Sequence, residues 1–278
     1  MPTLTLAQGT IDYQDVGPRE SGVPPVVLIH GALVDGHLWD PVTEILAEQG
    51  IRSIVPTMPL GSHRHPMPDA DLSPVGQARL IRDIVEALDL HDITLVGNDT
   101  GGALCQFYLH EFGDTVGRVV LLNCDCFEKF PPFPFNAIFP VLRVQAVIKP
   151  MLAAMKPAAI RHSPLGFGLL VTDPPPELTA SWLAPAAGSA EVRADIARFL
   201  ATVDSKSLTP MTEALAGFTK PATVVWGMAD KAFRPSLGRR LAARFPDADF
   251  VPVEGSRTFV SQDRPAALAE AIVAIGRR

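Results

Sequence analysis

The chain has 278 residues, 47% of them hydrophobic, enough to bury one sizeable core and too few for two generous domains. Its net charge of −6 comes without a basic cluster, which excludes nucleic acid and an anionic membrane surface as partners and leaves a small neutral molecule. The first residues carry no basic stretch leading into an apolar run, and no segment reaches the roughly 18 apolar residues of a membrane span. The three cysteines, Cys105, Cys124 and Cys126, are an odd number and make no disulfide framework, so a cytoplasmic monomer or homodimer with free thiols is expected.

Leu4 to Val16, β-branched and interrupted at Gly9, reads as an antiparallel hairpin at a sheet edge. Val26 to Ile29 is continuously apolar, as a parallel strand covered on both faces requires, and Trp39 to Glu48 then carries apolar residues at helical spacing. Ile51 to Val55 is a further strand, followed from Pro56 to Pro66 by a loop too rich in proline for helix or strand. Ser73-Pro74 is an N-cap with proline in the first turn, and Ala78, Ile81, Ile84, Val85 and Leu88 line one face of the helix it opens. A strand ending at Gly97, a helix from Thr100 to about Gly113 and a buried strand from Arg118 to Leu122 complete this half. From 127 to 207 the alternation gives way to short apolar helices separated by prolines, which reads as an inserted helical cap whose aromatic residues, Trp182 among them, partly roof a pocket. Strands at Ala222 to Trp226 and Phe250 to Val253, with helices at Ser236 to Phe245 and Pro265 to Ile275, return the chain to its core. The expected fold is α/β, a doubly wound and mostly parallel sheet built from 1–126 and 208–278 with the cap inserted between them.

The stretch Val96-Gly97-Asn98-Asp99-Thr100-Gly101-Gly102 joins the central strand directly to a helix. So abrupt a turn strains its middle residue and needs small neighbours where the backbones nearly touch. Gly97 and Gly101 supply them, and Asp99 is lifted to the helix N-terminus.

Gly-x-Asp-x-Gly in this setting resembles the nucleophile elbow of the α/β-hydrolase superfamily, with aspartate where serine usually stands. The strand ending in His30-Gly31, with Trp39 after it, resembles the approach to the oxyanion loop, and Val224-Val225-Trp226-Gly227 followed by Asp230 resembles the strand and turn that carry the triad acid. Within the superfamily the chain is most similar to the Asp-nucleophile branch, haloalkane dehalogenases and epoxide hydrolases. That resemblance implies Asp99 as nucleophile, Asp230 as triad acid, the backbone N–H groups of Ala32 and Thr100 as oxyanion hole, a small-molecule substrate, and neither cofactor nor metal.

The sequence departs from that pattern at the base. Gly255-Ser256-Arg257-Thr258-Phe259 puts Thr258 where the histidine belongs, and a hydroxyl is no base near neutral pH. The positions that hold a leaving halide in dehalogenases are here Ala32 and Thr100, and neither tyrosine, Tyr13 or Tyr108, falls in the cap to protonate an epoxide oxygen. His63, on the proline-rich loop, is the candidate replacement base. Arg257 is a candidate cation for the space beside Asp99 and Asp230, and His30, Thr258, Cys124 and Trp182 are further pocket candidates. Two function classes follow: an enzyme acting at Asp99, whether hydrolase, lyase or isomerase, and a ligand-binding protein on the same scaffold.

Overall fold

In the computed structural model, which describes residues 1–278, eight strands form one sheet: β1 (Thr3–Leu6), β2 (Gly9–Val16), β3 (Val26–Ile29), β4 (Ser53–Pro56), β5 (Ile93–Asp99), β6 (Val116–Cys124), β7 (Ala222–Gly227) and β8 (Ala248–Val253). Their spatial order is β1-β2-β4-β3-β5-β6-β7-β8, with β1 and β2 antiparallel at one edge and the rest parallel. Every residue of β3, β4, β5, β6 and β7 is buried, which is why these runs read as continuously apolar rather than alternating. The chain leaves β3 for β4 on one side and returns to β5 on the other. A crevice therefore opens at the carboxyl ends of β3 and β5, the place where parallel sheets bind ligands.

Helices α1 (Asp40–Glu48), α2 (Pro74–Ala87) and α3 (Thr100–Phe112) make the crossovers of the first half. Ser73 Oγ accepts the Gly76 N–H at 3.1 Å and caps α2 at its start. Six helices lie between β6 and β7: α4 (Phe135–Leu142), α5 (Gln145–Ala154), α6 (Ala158–Arg161), α7 (Pro176–Gly188), α8 (Ala190–Thr202) and α9 (Ser205–Ala214). The last of these runs through position 207 and buries Leu208 and Thr212 beside α3, so the return to the core happens within a helix rather than at a loop. Helices α10 (Pro235–Ala242), α11 (Val260–Asp263) and α12 (Pro265–Gly276) finish the chain, and no helix is long and apolar enough to cross a membrane.

The inserted helices are fastened to the core in two ways. Trp182 of α7 is fully buried between Phe167 and Phe259, its ring centroids 5.1 and 6.0 Å from theirs in edge-on contacts. The second fastening is polar. Asp195 of α8 accepts the His63 Nε2–H at 3.1 Å and the Met67 N–H at 2.8 Å on one oxygen, and Arg198 at 3.1 Å on the other. Asp195→Ala would orphan three buried or half-buried donors, and should cost about 3 to 5 kcal/mol in urea unfolding, against about 1 to 3 kcal/mol for His63→Ala. Equal, negligible losses would mean that the loop is held by packing alone.

Candidate active site

The tight turn at Asp99 is real, and its geometry follows from the neighbours. Asp99 has φ +54° and ψ −130°, outside the regions that an L-residue prefers, at a cost of order 1–3 kcal/mol met by the surrounding packing. Glycine is required on both sides of it. A Cβ on Gly101 would collide with the carbonyl oxygens of Ile29 and His30, and one on Gly31 would occupy the space of the Asp99 carboxylate. Neighbouring strands are thus drawn close enough for the oxyanion loop after β3 to meet the elbow after β5.

The Asp99 side chain is 8% exposed and opens on a cavity of ≈ 230 Å³. Twelve of its 18 lining residues are hydrophobic, and most come from the inserted helices, Phe135, Phe139, Leu142, Met151 and Phe167 among them. Ala32, Leu33, Asp99, Thr100 and Asp125 form its floor, and the only ionisable groups in the lining are Asp99 and Asp125. Burial raises the Asp99 pKa to about 7, against the pull of the Thr100 and Ala32 backbone N–H groups that face its carboxylate, with the charge of Asp230 adding to the rise.

Asp230 is committed elsewhere. One of its oxygens accepts the Ala232 and Phe233 N–H groups at 2.8 and 3.0 Å, and the other accepts Thr258 Oγ1 at 2.7 Å and Asn123 Nδ2 at 2.8 Å. Burial lifts its pKa to about 6 although all four donors oppose the rise, Thr258 most. Thr258 is fully buried, and its carbonyl accepts Asn98 Nδ2 at 2.9 Å, which joins the loop after β8 to the elbow. Asp230 and Thr258 therefore form a closed hydrogen-bonded unit behind the cavity rather than part of its wall.

The remaining candidates lie apart from the cavity floor. His63 is buried against α8: its Nδ1 accepts the Gly61 N–H at 3.3 Å, which leaves the Nε2 proton for Asp195, so the imidazole holds the loop to the inserted helices and does not line the cavity. The Arg257 guanidinium donates to the Gly168 and Val171 carbonyls, in the middle of the inserted segment, and does not fill the space beside the two aspartates. His30 is locked as the Nδ1–H tautomer, with Nε2 accepting the Met58 N–H at 2.8 Å and Nδ1 donating to the Gly31 carbonyl at 2.8 Å. Burial lowers its pKa to about 4, so it stays neutral. Cys124 packs beneath Gly102, and burial pushes its thiol well above the ordinary value. Trp182 supports the roof from behind without touching the cavity.

Asp125 is not among the residues expected from sequence, where the neighbouring Cys124 is the pocket candidate. It lies one residue past β6, and its N–H donates to the Asp99 carbonyl at 3.4 Å while its own carbonyl accepts Gln106 Nε2 at 2.8 Å. The signal available was an acidic residue directly at the end of a buried strand that pairs with the elbow strand.

Comparison with known proteins agrees with this architecture. The sequence pattern of the alpha/beta hydrolase family matches residues 26–271. Haloalkane dehalogenase 2 of Mycobacterium tuberculosis is 28% identical over 286 residues, covering 96% of this chain and 91% of that protein. Haloalkane dehalogenase DbeA from Bradyrhizobium elkani superposes with a TM-score of 0.80 at 18% identity over 99% of this chain and 98% of the other. An esterase from Exiguobacterium antarcticum gives 0.76 at 18% identity over 99% of each chain.

The raised pKa of Asp99 fixes the sign of a stability effect. Its folded value of about 7 lies above the unfolded value of about 4, so the contribution of the protonated carboxyl is lost as pH rises through that window. Asp99→Asn should be near neutral at pH 4 and stabilising above pH 7, by up to about 4 kcal/mol, as thermal melts across this range would read. A variant no more stable than its parent at pH 8 would show that Asp99 is well solvated. With the matched pattern running from the first parallel strand into the last helix, the chain is a member of the alpha/beta hydrolase family, a hydrolase-like enzyme.

Proposed function

We propose that this enzyme acts on a small, largely apolar organic substrate through Asp99, whose carboxylate attacks an electrophilic carbon and carries it as an ester. The observation that carries this reading is the position of the two backbone N–H groups. Those of Thr100 and Ala32 face the carboxylate of Asp99 itself. In a serine-type elbow such donors serve the carbonyl of the substrate, whereas here they lie beside the carboxylate of the elbow residue itself, where they would hold the carbonyl of an aspartyl ester and then the oxyanion of its hydrolysis. The apolar lining supports the choice of substrate, because a charged molecule entering it would lose its hydration without a partner. Similarity to haloalkane dehalogenases, proteins with the same fold, supports carbon as the electrophile.

A second reading uses Asp99 for proton transfer alone, in elimination or isomerisation. It is favoured by the pKa of about 7, which leaves the carboxyl half protonated near neutral pH, and by the enclosure of Asp230 with Thr258. The two readings differ in whether a covalent bond to Asp99 forms. Incubation with 1-bromobutane followed by peptide mass analysis should place a butyl group on Asp99, and Asp99→Asn should acquire none. Failure to label Asp99 while the reagent reaches the cavity, as shown by protection against thermal unfolding, would leave proton transfer as the function of the site.

A further inference from the structure

We infer that Asp125 is the acid and base partner of Asp99: its carboxyl protonates an oxygen leaving group as Asp99 is alkylated, and then deprotonates the water that hydrolyses the ester. This rests on the reading of Asp99 as nucleophile and adds the residue that makes turnover possible without a histidine.

Four observations support that role for Asp125. It lines the same cavity as Asp99, and these two are the only ionisable side chains that do. It is 1% exposed, yet Oδ1 has no hydrogen-bond partner and Oδ2 has only a 3.4 Å contact from Thr100 Oγ1. An unsatisfied buried carboxyl costs stability and has no evident structural return. The other candidate acids and bases are already engaged: Asp230 with four donors, His63 with Asp195, and His30 with Met58 and Gly31. The backbone of Asp125 is pinned by Gln106 and the Asp99 carbonyl, so the side chain has a fixed origin.

Burial holds the Asp125 carboxyl well above the usual carboxylate range, and the charge of Asp99 holds it there further. The resting pair thus carries one proton, on Asp125. An Asp99 oxygen forms a bond to carbon as the bond from carbon to the leaving oxygen breaks, and that oxygen takes the electron pair and the Asp125 proton. With Asp99 now a neutral ester, the repulsion on Asp125 is gone and its carboxylate is the base. Water adds to the ester carbonyl and gives a proton to Asp125, the oxyanion rests on the Ala32 and Thr100 N–H groups, and collapse releases the alkoxide with that proton. The acid proton left on Asp99 returns to Asp125, restoring the starting state. Oxygen leaving groups, which need a proton, are therefore favoured over halide, for which the lining offers no side-chain N–H donor.

The test uses two reagents on the intact protein. 1-Bromobutane needs no acid to alkylate Asp99, so its ester should form in both the native protein and Asp125→Asn, and should be released more slowly by the variant, which lacks the base. 1,2-Epoxybutane should be turned over to the diol by the native protein, with ¹⁸O from labelled water entering the Asp99 side chain. In Asp125→Asn that turnover should fall by at least about 100-fold, the range for loss of an acid or base. Asp125→Glu, which keeps a carboxyl, should retain more diol formation than Asp125→Asn. Undiminished turnover by Asp125→Asn, equal loss in both variants, or a native protein that is butylated on Asp99 yet makes no diol would each overturn the role of Asp125 alone. A native protein that neither labels nor turns over overturns the reading of Asp99 and this inference with it.

Discussion

A carboxylate attacks carbon faster when it is stripped of water without being given a permanent cation, and the proposed role of Asp99 depends on that condition. The free energy comes from desolvation: taken out of water, the charged form is disfavoured until the pKa of Asp99 reaches about 7. What keeps the charged form accessible is a pair of backbone N–H groups and the N-terminus of α3, partial charges that stabilise an anion without neutralising it. A lysine or arginine in the cavity would end the tension by forming an ion pair. The lining contains neither, and Arg257, the nearest sequence candidate, is spent on carbonyls of the inserted segment.

The rest of the architecture follows from placing that carboxylate. The reversal of strand order at β3 opens the crevice, the strained turn at Asp99 raises the side chain into it, and glycines at 31 and 101 allow the backbones to close around it. The inserted helices exclude water from above and are kept in place by the buried contacts of Trp182 and the pairing of His63 with Asp195. The Asp230–Thr258–Asn123 unit, which occupies the place expected of an acid and base, ties the end of β6 to the loops after β7 and β8. Both Asp230 oxygens are satisfied within it, by Thr258, Asn123 and two backbone N–H groups.

What the sequence revealed depended on how local the cause was. The parallel strands were legible because burial on both faces leaves an unbroken apolar run, and the turn at Asp99 because its geometry demands glycines at fixed offsets. Ser73 marked the start of α2 for the same reason, a cap acting over three residues. The partners of His63 and Arg257 were not legible, since Asp195 lies 132 residues from His63 and the carbonyls that hold Arg257 belong to backbone with no side-chain signature. Asp125 was hidden differently. Its proximity to Asp99 follows from strand register, with Asp99 opposite Cys124, and register between parallel strands joined by a helix is not written in either strand alone.

At mildly alkaline pH, above the value of about 7 to which Asp99 is raised, the proposed roles require that the two carboxyls of the cavity hold one proton between them, carried by Asp125. Infrared difference spectroscopy reads it directly, because a protonated carboxyl has a carbonyl stretch that a carboxylate lacks. At pH 8 the native protein should show one such band from a buried acid, shifting on Asp99→Asn, which removes the neighbouring charge, and disappearing on Asp125→Asn. A spectrum in which neither substitution alters a protonated-carboxyl band would mean that both groups are ionised and solvated, and the account of a dry, proton-sharing site would be wrong.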